Sequence, residues 1–154
     1  MFQGSVVSIH IAPAGAENMV AVNEVEAIPG KGLAGDRYYL QTGTKSKAQS
    51  EPDRELTLVE SEAIEGFKSE LGIDYEPAMA RRNVVTRGVP LNHLVGREFQ
   101  IGAIRVRGIR LCEPCAHLAT LTDKAVLPGL VHRGGLRAQI LTEGVIRAGD
   151  PVRE

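Results

Sequence analysis

Hydrophobic and polar positions alternate in short stretches along most of this chain, and the period lengthens to that of a helix only once. Gly4 to Ala12 and Val20 to Ile28 are rich in valine and isoleucine and are separated by the small-residue turn Pro13-Ala14-Gly15-Ala16, which predicts two strands. Glu55 to Val59 reads as a strand feeding the one clear helix, Ser61 to Leu71. In that helix Ala63, Ile64, Phe67 and Leu71 share one face, and Gly72 marks the stop. Gly66 costs the helix up to about 1 kcal/mol relative to alanine. Asn83 to Thr86 is a further strand ending at Arg87-Gly88, Leu136 to Ile140 alternates again, and Gly149-Asp150 is a late turn. Thr42 to Asp53 is polar without periodicity and reads as a surface loop.

The stretch Ala103 to Leu111 is the most telling. Ile104 and Val106 alternate with Arg105 and Arg107, but beyond Gly108 the phase flips to Ile109 and Leu111. A one-residue slip at a glycine is the sequence form of a β-bulge, which bends a strand and re-aims the residues beyond it. Short strands, a bulge and glycine turns predict a mainly β fold: a mixed, bulged β-barrel with one or two short peripheral helices. No internal repeat or linker divides residues 1–154, so a single domain is expected.

Charge adds an asymmetry. The net charge is −1, yet residues 1–80 carry 6 basic and 13 acidic side chains, whereas 81–154 carry 12 basic and 6 acidic. All of those 12 except Lys124 are arginine, whose planar fork suits phosphate or carboxylate. The later half is equipped to hold an anion, the bland alternative being solvated strand edges. Nucleic acid is not expected as a partner, because aromatics are few and no basic run is continuous. No signal-like leader and no membrane-length apolar run is present, so a cytoplasmic location is expected.

The chemistry concentrates at Arg110-Leu111-Cys112-Glu113-Pro114-Cys115-Ala116-His117, which holds both cysteines of the chain. Such a pair can form a redox disulfide, supply half of a zinc site, or present one thiolate to sulfur or a soft metal. Cys112, Cys115, His117 and His132 have the chemistry of four zinc ligands, but their spacing matches no common finger. A thioredoxin-like role needs a βα pattern that this chain lacks. Cys115 would act as a thiolate, and at an unperturbed pKa near 8.5 only a few per cent is ionised at pH 7. Arg110, a charged His117 or a helix starting at Pro114 would raise that fraction. Cys112 reads as packing, or as a thiol that resolves an oxidised Cys115. His10 and His93 read as structural or surface residues.

Pro29-Gly30-Lys31-Gly32-Leu33-Ala34-Gly35-Asp36 is glycine-dense but is no P-loop, since neither Ser nor Thr follows Gly-Lys. Lys31 is placed to reach an anion, and Asp36 either fixes the turn or touches ligand. Arg81, Asn83 and Arg133 are candidates for holding a phosphate and a ring edge. Arg133 precedes Gly134-Gly135, where the backbone can approach a ligand closely. Arg82 reads as a barrel-rim salt bridge.

Together these pieces resemble the MOSC family, the domain found at the C-terminus of molybdenum cofactor sulfurases and as free-standing bacterial proteins. The resemblance rests on an ordered series: Gly32-Leu33-Ala34-Gly35-Asp36, Arg54-Glu55-Leu56-Thr57-Leu58, Arg81-Arg82-Asn83-Val84-Val85, Gly88, Leu94-Val95-Gly96, Phe99-Gln100-Ile101-Gly102, Cys112-Glu113-Pro114-Cys115, Arg133-Gly134-Gly135 and Gly149-Asp150. It implies a mixed β-barrel that binds the molybdenum cofactor (molybdopterin) or handles sulfur for it. By that resemblance Cys115 is the sulfur carrier or the molybdenum ligand, in an arginine-lined barrel mouth. Arg81 and Asn83 match a cofactor-contacting Arg-x-Asn element, with Lys31, Gly35, Asp36, Arg54 and Arg133 as further candidate contacts. The amidoxime-reducing relatives carry an additional N-terminal β-rich domain, and sulfurases carry a pyridoxal-phosphate desulfurase domain. This chain has neither, so the resemblance implies a partner such as a cysteine desulfurase or an electron-donor protein, or a homodimer that completes the site. Reduction of small N-oxygenated compounds is the activity it implies if molybdenum is bound; a non-catalytic module docking to a partner enzyme is the alternative.

Overall fold

A computed structural model describes residues 2–13, 18–40, 52–114 and 129–154. Its strands are β1 (Gln3–Ile11), β2 (Val20–Val22), β3 (Glu24–Ile28), β4 (Gly32–Leu33), β5 (Leu56–Glu60), β6 (Val84–Arg87), β7 (Glu98–Ile101), β8 (Ile104–Leu111), β9 (Leu136–Ile140), β10 (Gly144–Arg147) and β11 (Pro151–Arg153). The helices are α1 (Arg37–Leu40) and α2 (Ser61–Leu71), with 3-10 turns at Pro52–Arg54, Pro77–Ala80 and Leu91–Leu94.

Seven strands close on themselves in the order β1-β6-β5-β9-β8-β7-β11, with β11 pairing back onto β1. Closure removes the open edges that would otherwise invite aggregation. One pair in the ring, β5–β6, is parallel, because α2 carries the chain across between them. That pair makes the barrel mixed, as expected. β2 extends the sheet beside β1, while β10, β3 and β4 form a separate three-stranded sheet. The long strand expected at Val20 to Ile28 is thus two strands, broken at Asn23, whose carbonyl accepts from the Ala148 amide at 2.9 Å.

The barrel interior is filled by apolar side chains, among them Val6, Ile9, Leu56, Leu58, Phe99, Ile101, Leu136 and Val152. A second cluster lies between α2 and the outer wall: Val59, Ile64, Phe67, Tyr75, Val85 and Leu130. Phe67 and Tyr75 meet edge to face there, 4.9 Å between centroids. Burying Ile64 and Phe67 contributes about 1.5–3 kcal/mol each, which outweighs the Gly66 penalty. Helix α2 ends as its sequence dictates: Gly72 is left-handed at φ 61°, and its amide donates to Lys68 O at 2.8 Å.

The bulge falls where the phase flips. Gly108 faces Ala138 and Arg110 faces Arg137, so Ile109 is the extra residue. A β-carbon at Gly108 would lie 2.1 Å from Leu94 O, which is why glycine stands there. Among the described residues no helix is long and apolar enough to cross a membrane.

Candidate functional site

Because side chains alternate along a strand, the residues flanking the inward-facing Ile9, Val84, Leu58 and Leu136 stand on the outside of the wall. Neighbouring strands bring four of them into one row, His10, Asn83, Thr57 and Arg137, and Arg110 on β8 continues it opposite Arg137. The His10 amide donates to Asn83 O at 2.7 Å; Thr57 is opposite Arg137, and Arg137 is opposite Arg110. The polar and basic residues therefore lie on an outer face rather than in a barrel mouth, since apolar side chains close the interior.

Asn83 is fully buried and anchors this row. Its Oδ1 accepts from Thr57 N at 3.0 Å and from Thr57 Oγ1 at 3.1 Å, and its Nδ2 donates to His10 O at 3.1 Å. The side chain expected to read a ligand edge thus joins β1, β5 and β6, with one amide hydrogen beyond these bonds. Its neighbour Arg81 is buried and left-handed, with φ 56° and ψ 37°, an uncommon state for a residue other than glycine. Its carbonyl accepts from Arg37 Nη2 at 3.5 Å.

The Gly32–Asp36 turn packs over the end of β1. Asp36 is fully buried; its Oδ1 accepts from Ala12 N at 2.9 Å and lies 3.4 Å from Arg37 Nη1, so it does fix the turn. Gly35, at φ 87°, is exposed and supplies the left-handed bend. Lys31 is exposed, with Nζ 5.7 Å above the Tyr39 ring centroid, a cation–π contact. The turn carrying Arg54 packs against β9. Asp36 Oδ2, His10 Nδ1 and Arg54 Nε are among the buried atoms on this side that have no hydrogen-bond partner among the described residues. Buried polar atoms are nearly always paired, so these mark where a water or a ligand is to be expected.

Titratable groups nearby are shaped by burial. It lowers the pKa of His10, whose Nε2 lies 2.9 Å from Ser8 Oγ. It raises that of Glu55, although Oε1 accepts from the amides of Gly30 and Ile140, both at 3.1 Å. Glu55 thereby ties the glycine loop to the end of β9, a role that no sequence pattern announced. Desolvation likewise raises Glu60, which accepts from Leu91 N at 3.2 Å.

Cys115 and His117 lie outside the described residues. Cys112 is a buried free thiol whose amide donates to Gly135 O at 2.8 Å. Glu113 receives the His132 amide on Oε1 at 2.7 Å, and its Oε2 lies 3.0 Å from His132 Nδ1. No group of three metal-ligating side chains is present among the described residues. Arg133 is engaged at the helix: Nε donates to Gly129 O at 2.8 Å, and Nη2 pairs with Glu70. The missing side chain of Gly66 makes room for it, since a β-carbon there would lie 3.0 Å from Arg133 Nη1. The close approach allowed by Gly134-Gly135 is to the chain itself. Their β-carbons would lie 2.5 Å from Cys112 O and 2.1 Å from Leu58 O. Nor is Arg82 in a rim salt bridge: it is buried and bonded to main-chain carbonyls.

Residues 45–153 match the MOSC domain, and the chain belongs to that family. Among solved structures it is similar to the YuaD protein of Bacillus subtilis, with TM-score 0.80 and 15% identity over 99% of this chain and 97% of that one. It is also similar to YiiM from Geobacillus stearothermophilus, with TM-score 0.72 and 18% identity over 97% and 74% of the two chains. For YiiM from Escherichia coli the TM-score is 0.68, with 19% identity over 99% and 69%. At these identities the likeness is one of fold. No curated protein matches the sequence.

Proposed function

We propose that this MOSC protein binds the molybdenum cofactor or carries sulfur for it, with Cys115 as the sulfur-accepting or molybdenum-ligating residue. The observation that carries the reading is the polar outer row, flanked by buried atoms still lacking partners, in a chain whose sequence has a second cysteine three residues beyond Cys112. The donor set suits such a ligand. Arginines, with Arg54 Nε unpartnered, match a phosphate; Asp36 Oδ2 and His10 Nδ1 match the N–H and ring-nitrogen edge of a pterin; a thiolate matches molybdenum.

In the sulfur-carrier role the Cys115 thiolate attacks the terminal sulfur of a persulfide on a donor such as a cysteine desulfurase. A sulfur–sulfur bond forms at Cys115, and the donor's own thiolate leaves, so no oxidant is needed. In the cofactor role, bound molybdopterin supplies two-electron redox chemistry suited to reducing N-oxygenated compounds, with electrons from a separate protein. The chain's residues then hold rather than react: Arg81 and Arg54 neutralise the anionic end, Asn83 keeps three strands in register, and Asp36 fixes the glycine turn. Lys31, Gly35 and Arg133 remain candidate contacts in this reading, and a cytoplasmic setting belongs to it as well.

Mass spectrometry of Cys115 after incubation with a cysteine desulfurase and cysteine tests the sulfur role. A gain of one sulfur atom, absent in Cys115→Ser, is the expected result. An unmodified Cys115 in protein that also carries neither molybdenum nor pterin overturns the proposal.

A further inference from the structure

Glu113 and His132 meet just beyond the end of β8. The Glu113 carboxylate takes two contacts from one residue: Oε1 accepts the His132 amide at 2.7 Å, and Oε2 lies 3.0 Å from His132 Nδ1. Asn92, on the Leu91–Leu94 turn, donates from Nδ2 to His132 O at 2.7 Å. The amide, the carbonyl and the ring of His132 are therefore each held by a side chain distant in sequence. The residue is left-handed, with φ 64°, a state that only Arg81 shares among the described residues other than glycine.

An ionised carboxylate only accepts, so the ring nitrogen facing it carries the hydrogen. In the neutral imidazole the lone pair then falls on Nε2. No described residue bonds to Nε2, and the side chain is 79% exposed. A carboxylate behind an imidazole whose other nitrogen faces outward is how a histidine is held as an oriented base. An exposed pair of this kind adds little to stability, so its effect is one of orientation. The other charged groups near it are Arg133 on its own turn, engaged by Glu70 of α2, and His93 beside Asn92.

We propose that Glu113 and His132 form a base dyad for the thiol chemistry of the cysteine segment, with His132 Nε2 taking the thiol proton and Glu113 as the positioning residue. The inference rests on the sulfur reading, in which the reacting thiol lies two residues beyond Glu113. Two trans peptide units span at most about 7 Å, so chain connectivity alone keeps that thiol close to the dyad. The proton moves from sulfur to Nε2 and the sulfur keeps its electron pair. Once the new sulfur–sulfur bond has formed, the proton passes to the donor's departing thiolate.

The test is iodoacetamide labelling of the full chain, read by mass spectrometry at Cys115, with the buried Cys112 as internal reference. His132→Asn keeps the backbone bonds and tolerates the left-handed state, but lacks the base. Glu113→Gln still accepts the His132 amide, yet its own amide donates to Nδ1 and drives the ring hydrogen to Nε2. An unassisted thiol is only a few per cent ionised near pH 7, which caps the gain at about thirtyfold. Both variants should label about tenfold more slowly than the native chain near pH 7 and equally fast near pH 10, where the thiol ionises unaided. Nitrogen-15 NMR of the neutral ring should place the hydrogen on Nδ1 in the native chain and on Nε2 in Glu113→Gln. Should Glu113→Gln fail to fold, His132→Asn decides. Equal rates near pH 7, a deficit that persists undiminished near pH 10, or a native ring protonated on Nε2 would each overturn the dyad. Iodoacetamide needs neither sulfur donor nor cofactor. Persulfide, molybdenum and pterin are measured separately, so failure of the dyad and failure of the sulfur reading are told apart.

Discussion

Asn83 and Thr57 are bonded in both directions: Asn83 Oδ1 accepts the Thr57 hydroxyl at 3.1 Å, and Thr57 Oγ1 accepts the Asn83 amide at 2.9 Å. The pair holds the start of β6 against β5, and Nδ2 extends the link to His10 O on β1. Everything proposed for the outer face depends on these strands keeping their register.

Asn83→Leu removes the acceptor of two donors and the donor to His10 O without opening a large cavity. Each buried group left unmatched costs about 1–3 kcal/mol, so a total loss of about 3 kcal/mol or more is expected. Urea denaturation measures it. A loss below about 1 kcal/mol would mean that Asn83 is not the anchor described.

Gly108→Ala would drive a β-carbon to 2.1 Å from Leu94 O. Backbone cannot swing aside as a side chain can, so a loss of about 2–4 kcal/mol is expected in thermal melts. Gly30→Ala is the control. With φ 78° and nothing within 4 Å, it should cost only the left-handed penalty, about 1–2 kcal/mol.

His10 gives the stability a predictable slope with pH. Burial lowers its pKa in the fold below the ordinary 6.5, so the unfolded chain takes up the proton first as pH falls. The stability that neutral His10 contributes is present above pH 6.5 and is lost as pH drops through that value towards the folded pKa. His10→Phe should remove this slope while leaving the rest of the pH profile intact. Unfolding free energies measured from about pH 8 to pH 5 check it. Parallel profiles for the two proteins would show that His10 titrates alike in both states.

Much of the fold was legible because its signals are local. Phase inversion at Gly108 marks the bulge, and Ser61 to Gly72 carries both its helical face and its stop. The split at Asn23 was not legible, since it depends on β2 joining β1 while β3 joins β10, pairings set by residues far along the chain. For the site, residue type was a better guide than role. Asn83 and Asp36 are central but bonded within the protein, and Arg133 lies across α2. Arg82, which resembled a rim charge, sits at the root of the cysteine segment. Sequence shows that an arginine is present, whereas only packing shows which carbonyl it meets.

The most direct measurement is the molybdenum and pterin content of the protein purified from a cofactor-producing host, alongside Cys115→Ser. The account predicts metal and pterin fluorescence co-eluting with the native chain in similar amounts, with molybdenum strongly reduced in the variant, or else a persulfide on Cys115 where no cofactor is retained. A native chain carrying neither molybdenum, pterin nor added sulfur would contradict it.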